Sequence, residues 1–143
     1  MYLDTSIIVK LLVPEADSDF FEANLVGESL STSELATTEV WSALLAKERN
    51  GHIKQKDRQK AWRTFEGWVE SEQIRLHKLN SVALKRANRI LEAVHPQVAL
   101  RTLDAIHAAA CDLSQDFPLC TTDRRMRDAA KMLRIPVFPE AND

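Results

Sequence analysis

The sequence predicts an α/β fold, a short central parallel β-sheet flanked by α-helices. Two observations carry that prediction. Short apolar runs alternate along the chain with longer segments of helical period, the pattern of parallel strands joined by crossover helices. A chain of 143 residues also fits one compact domain that buries roughly two-thirds of the surface its unfolded form would expose. Residues 1–143 are therefore expected to form a single domain.

Met1 to Asp4 is a short apolar start, and Thr5-Ser6 then precedes Ile7, Ile8, Val9, Leu11, Leu12 and Val13. That order predicts a strand handing over to a helix capped by Thr5 or Ser6 and closed by Pro14. A second helix is expected over Asp19 to Val26 and a brief strand over Leu30 to Ser33. Ser31 and Glu34 have capping-box spacing, opening a helix that runs to about Asn50-Gly51. In Lys54 to Glu70 the apolar residues Ala61, Trp62, Phe65, Trp68 and Val69 recur at helical spacing, opposite Lys56, Arg63 and Glu70. Ile74 to Leu79 alternates like a strand. Asn80-Ser81 caps a helix through Val94, which His95-Pro96 stops. Thr102 is placed to cap a helix from Leu103 to about Gln115. A strand over Leu119 to Thr122, a helix over Asp123 to Leu133 and a strand over Pro136 to Pro139 complete the chain.

Composition excludes several classes of function. With 19 Lys and Arg against 21 Asp and Glu the formal charge is −2, so no bulk basic field attracts nucleic acid and any such contact must be local. None of the 3 glycines falls in a GxGxxG or P-loop pattern, which disfavours the common nucleotide-binding designs. No apolar run approaches the ~18 residues of a membrane span. Met1-Tyr2-Leu3-Asp4 does not begin like a signal peptide, so a cytoplasmic protein is expected. Cys111 and Cys120 lack CxxC spacing and fall on apolar elements, and both are expected to be reduced core residues.

The informative residues are acids. In open α/β sheets ligands collect beyond the carboxyl ends of the strands, where Asp4 and Asp123 are expected. Asp104 lies in the first turn of its helix, where the helix dipole favours an anion. Glu39 lies mid-helix among Leu35, Ala43 and Ala46, a face on which a carboxylate is costly unless a cation or hydrogen bonds offset it. Neither Lys47 nor Arg49 is an obvious local mate. A set of hard oxygen ligands suits Mg²⁺ or Mn²⁺ and not zinc.

Tyr2-Leu3-Asp4-Thr5-Ser6, Ser33-Glu34-Leu35 leading to Glu39-Val40, Leu100-Arg101-Thr102-Leu103-Asp104-Ala105-Ile106-His107 and Thr121-Thr122-Asp123-Arg124-Arg125 together resemble a PIN domain of the VapC toxin type. The resemblance spans essentially the whole chain, with the four segments in family order. It implies a PIN-like fold, with Asp4, Glu39, Asp104 and Asp123 as the metal-site acids of a Mg²⁺-dependent endoribonuclease, Mn²⁺ being a possible substitute. It further implies a homodimer held inactive by a cognate antitoxin. Two other readings stay open: a PIN-type nuclease of RNA processing without an antitoxin, and a non-catalytic binding module on the same fold.

Around the quartet, Ser6 and Thr122 are candidates for phosphate or ligand-shell contacts, and both serve equally well as caps. Arg124 and Arg125, beside Asp123, and Lys10, after the first strand, are candidates to hold phosphates of an RNA substrate. Glu34, Asp112, Asp116 and Asp128 read as surface acids, and His107 as a structural histidine. Trp41, Trp62, Trp68 and Phe65 could stack on bases but read more simply as core or interface. The helix bearing Trp62 and Trp68 is a candidate surface for a second subunit or an antitoxin helix.

Overall fold

The computed structural model describes residues 1–140, so the last three residues of the expected domain lie outside the described residues. The first half runs β1 (Tyr2–Leu3), α1 (Thr5–Leu12), α2 (Ser18–Leu25), β2 (Leu30–Ser33), α3 (Leu35–Arg49) and α4 (Gln55–Glu70). The second half runs β3 (Ile74–His77), α5 (Ser81–Val94), α6 (Thr102–Ser114), β4 (Leu119–Cys120), α7 (Arg124–Leu133) and β5 (Val137–Phe138). All strand pairs are parallel, and the sheet order is β3-β2-β1-β4-β5. From β1 the chain crosses outward to β2 and β3, then returns to place β4 on the other side of β1. The β1/β4 boundary is thus a topological switch point, where connections diverge and leave a crevice at the carboxyl ends.

Both faces of the sheet are covered, so the central strands β1 and β4 are wholly buried and β2 buries Ser31, Thr32 and Ser33, whereas β3 at the edge buries Ile74 and exposes Arg75. On one face Leu3, Ile8, Phe21, Leu44, Phe65 and Ile74 are buried together beneath α1 to α4. On the other, Tyr2, Cys111, Leu119, Met126 and Ala130 form a second cluster. Next to it Ala87, Ala105, Ala108 and Ala109 line the contact of α5 with α6, where small side chains let the helices approach closely.

The helix starts differ from expectation in an instructive way. Asp4, not Thr5 or Ser6, caps α1: its Oδ1 accepts from the Ile7 N–H at 3.1 Å, and Thr5 is the first helical residue. The expected Ser31 and Glu34 capping box does not form, because Ser31 is held within β2 opposite Arg75. Ser33 instead accepts from the Leu35 N–H, and the Glu34 carboxylate accepts from the Leu79 N–H at 3.1 Å. At α6, Arg101 occupies the N-cap position without capping through its side chain, and Thr102 is already helical. Asn80 caps α5 as expected, and Asp123 caps α7 by accepting from the Met126 N–H at 2.9 Å. Helix α3 gives way to Gly51, whose φ of 78° requires the left-handed region that glycine enters freely.

Cys111 and Cys120 are free and fully buried, and burial pushes both thiols up to about 12. The thiolate that attacks alkylating reagents is therefore almost absent near neutrality. Iodoacetamide is expected to leave both cysteines unmodified in the folded protein at pH 8 and to modify both in urea, read by intact mass. Rapid labelling of the folded chain would contradict this placement.

Candidate active site

Asp4 follows β1 and Asp123 follows β4, so the switch point puts two carboxylates side by side at the crevice. Each spends one oxygen capping the helix it opens, which fixes where the other points. Helix α3 brings Glu39 to the same place and the first turn of α6 brings Asp104. All four line one cavity of about 610 Å³, together with Ser6 and Thr122.

Glu39 has no mate on its own helix and takes its partner from α6. His107, 68 residues further along the chain, lies 2.5 Å from its Oε1 through Nε2, and the Thr5 hydroxyl donates to the same oxygen at 2.7 Å. An ionised carboxylate only accepts, so Nε2 donates to it. The ring's Nδ1 then meets the Tyr2 hydroxyl at 2.8 Å, and Tyr2 and His107 are both buried. Burial pushes the Glu39 carboxyl up, but the hydrogen bond and charge of His107, the Thr5 hydroxyl and the charge of Arg101 outweigh it and hold Glu39 below its ordinary value. His107 thus supports a site acid and is more than a packing residue. Tyr2→Phe strands a buried ring nitrogen and is expected to cost about 1–3 kcal/mol of stability in urea denaturation, whereas an unchanged midpoint would contradict this chain of contacts.

The other acids are also engaged. Asp4 accepts from Ser6 at 2.6 Å and from the Thr121 hydroxyl. Arg101 reaches Asp104 through Nε at 2.8 Å and Asp123 through a terminal nitrogen at 3.1 Å. Among the described residues no three carboxylate, imidazole or thiol groups converge on a single ion position. The donor set is nonetheless one of hard oxygens facing a common cavity, and a guanidinium already lies across two of them. A divalent cation of the Mg²⁺ type fits that chemistry.

Of the candidate phosphate-holding cations, Lys10 lines the cavity but is paired with Asp17 at 3.0 Å. Arg124 and Arg125 are exposed beside Asp123, and neither lines the cavity. Sequence reasoning missed Arg101 and Lys47, which do line it. Arg101 left a signal, preceding Asp104 by three residues, whereas Lys47 left none, since eight residues turn the helix about 80° away from Glu39. Glu34, Asp112, Asp116 and Asp128 lie outside the cavity. Asp112 pairs with Arg86, and Asp116 with His77 and Arg75.

The aromatic residues are also placed away from the acids. Phe65 is buried in the core, and Trp62 and Trp68 pack against it. Trp41 meets Trp62 edge-on at 4.8 Å between centroids, with Arg58 over its ring. No described helix is long and apolar enough to cross a membrane.

Comparison with known proteins agrees with this architecture. The PIN domain family matches residues 1–132. Ribonuclease VapC46 of Mycobacterium tuberculosis is 38% identical over 141 residues, covering 96% of this chain and 95% of that protein. Among solved structures, a chain of VapBC2 from Rickettsia felis, crystallised bound to a DNA fragment from their promoter, superposes with a TM-score of 0.69 at 11% identity, covering 95% of each chain. A chain of FitAcB from Neisseria gonorrhoeae superposes with a TM-score of 0.69 at 17% identity, covering 96% of this chain and 95% of that one.

Proposed function

Because this chain belongs to the PIN-domain family, in its VapC branch, we propose that it is a Mg²⁺-dependent endoribonuclease, the toxin of a toxin–antitoxin pair. The observation that carries the reading is the convergence of Asp4, Glu39, Asp104 and Asp123 on one cavity at the switch point of the sheet. Four carboxylates facing one cavity give it a negative field that Arg101 and His107 offset only in part, and that field attracts a further cation.

Asp4 and Asp104 would be the principal ligands of Mg²⁺, or of Mn²⁺ in its place, with Glu39 and Asp123 completing the shell. Bound there, the ion supplies acidification of water and stabilisation of charge on the phosphodiester. The chain's own residues do the rest. His107 and Thr5 hold one oxygen of Glu39 and leave the other to the cavity. Ser6 and Thr122 offer hydroxyls at the cavity wall, and Lys47 and Lys10, both paired with Glu15 and Lys10 also with Asp17, would hold an RNA backbone at the rim by exchanging those partners for phosphates. Arg124 and Arg125 extend that rim outward from the first turn of α7.

The same reading includes a homodimer in the cytoplasm and a cognate antitoxin, with α4 and its Trp62 and Trp68 as a docking face. Its test is induction in a bacterial host. Growth is expected to stop on induction and to continue when a small neighbouring gene is co-expressed. Unaffected growth in a host making folded protein would overturn the toxin assignment.

A further inference from the structure

Asp123 has one oxygen to give, because Oδ1 is committed to the Met126 N–H at the start of α7. That remaining oxygen, Oδ2, lies on Arg101, as does Oδ2 of Asp104. Arg101 itself stands at the N-cap position of α6, where a helix dipole disfavours a cation, and it does not cap the helix. Its side chain is 61% exposed and packs on little, whereas those of Asp104 and Asp123 are 13% and 29% exposed. The two acids, contributed by different elements, account for where it sits. In turn they hold its guanidinium firmly protonated, raised above its ordinary value by the Asp104 hydrogen bond and then by the charges of Asp104 and Asp123.

We propose that Arg101 is the resident cation of the acidic site, occupying the oxygens of Asp104 and Asp123 that a divalent ion needs, so that ion binding requires its displacement. This inference rests on the metal-dependent reading above. A guanidinium and a divalent ion held on the same two oxygens repel each other at close range, so the guanidinium must give way as the ion binds and the exchange lowers the affinity of the site. Arg101 also offsets the repulsion among the acids before an ion arrives. Its removal has two opposite consequences: the protein without divalent ions loses stability, and the ion binds more tightly.

The test is calorimetric titration of Mn²⁺ into chelator-treated, dialysed full-length protein, comparing wild type with Arg101→Gln, Arg101→Lys and Arg125→Gln. Arg101→Gln is expected to bind Mn²⁺ roughly two- to fivefold more tightly, the worth of a partly exposed ion pair that need not be broken. Arg101→Lys keeps the charge but cannot fork across two carboxylates, and is expected between the two. Arg125→Gln removes an equal charge two residues from Asp123 that bridges no acid, and is expected to match wild type. Thermal melts supply the second readout: Arg101→Gln melts lower than wild type in EDTA, and the gap closes at saturating Mn²⁺.

Wild type binding Mn²⁺ with Arg101→Gln equal to it or weaker would overturn the resident-cation proposal and leave the metal-dependent nuclease standing. An Arg125→Gln effect as large as that of Arg101→Gln would overturn it too, reducing it to general charge. If neither wild type nor any variant binds Mn²⁺, the metal reading fails and this inference fails with it.

Discussion

Asp4→Asn is expected to lower RNA cleavage at least about a hundredfold, since even the outer partners of metal ligands cost tenfold to a hundredfold when lost and Asp4 is proposed as a ligand itself. The substitution separates chemistry from folding. Asparagine caps helices as well as aspartate does, so the bond from the Ile7 N–H to the side-chain oxygen survives. The amide nitrogen meets the Thr121 hydroxyl, which can turn to accept from it. What disappears is the charge. Asp4→Ala is a poorer probe, since it also removes the cap, worth about 1 kcal/mol, and leaves buried donors without a partner. Asp4→Asn should therefore melt close to wild type and cleave RNA barely at all. Full activity in the asparagine variant would remove Asp4 from the mechanism.

Glu39→Gln is expected to weaken divalent binding and cleavage by at least about tenfold, and it also reports on the His107 contact. Glutamine keeps the size of the side chain. It can present its carbonyl oxygen to His107 and Thr5, but only by turning its amide nitrogen to the cavity, where a cation would meet a donor and not an acceptor. The same variant carries a pH signature. The carboxyl of Glu39 lies below its ordinary value of 4.5 in the folded chain, so its charge stabilises the fold fully above that value. As pH falls through the lowered value that contribution is lost. The stability difference between wild type and Glu39→Gln should thus be constant near neutrality and shrink in acid, measured by urea denaturation across pH. A gap that widens in acid would mean that the carboxyl is raised and the contact with His107 misread.

Much of this was legible in the sequence, for reasons that also mark where legibility stops. Hydrophobic periodicity reports burial and located α4, while cap and stop signals located α5 and α6, each to within a residue or two. Strand order is another matter. Periodicity does not say which strand neighbours which, so the switch point between β1 and β4 emerged only with the fold. The capping rules erred at Thr5 and Ser6 because Asp4, read as a site acid, also makes the cap, while the Thr5 hydroxyl is drawn to Glu39.

The reasoning about Glu39 named the need for a cation or hydrogen bonds but not the residue that meets it. A helical wheel shows the residues on one's own helix, and on α3 no cation faces Glu39 closely. Its partner comes from α6, across the sheet's open end, and no local pattern announces it. His107 was visible as a neighbour of Asp104, three residues on, but its other contacts to Tyr2 and Thr5 depend on β1 lying beneath α6. Arg101 was quoted within a motif and passed over, although its spacing to Asp104 was enough to pair them. Residues that act through tertiary contacts are the ones a linear reading misses.

The central claim is that the acids around this cavity hydrolyse RNA through a divalent ion. Its most direct test is cleavage of a labelled single-stranded RNA by the purified full-length protein in Mg²⁺, in EDTA, and in EDTA followed by excess Mn²⁺, with Asp4→Asn run beside it. The expected result is cleavage in Mg²⁺, none in EDTA, recovery with Mn²⁺, and no product from Asp4→Asn under any of the three. Cleavage by wild type that continues undiminished in EDTA would contradict the account.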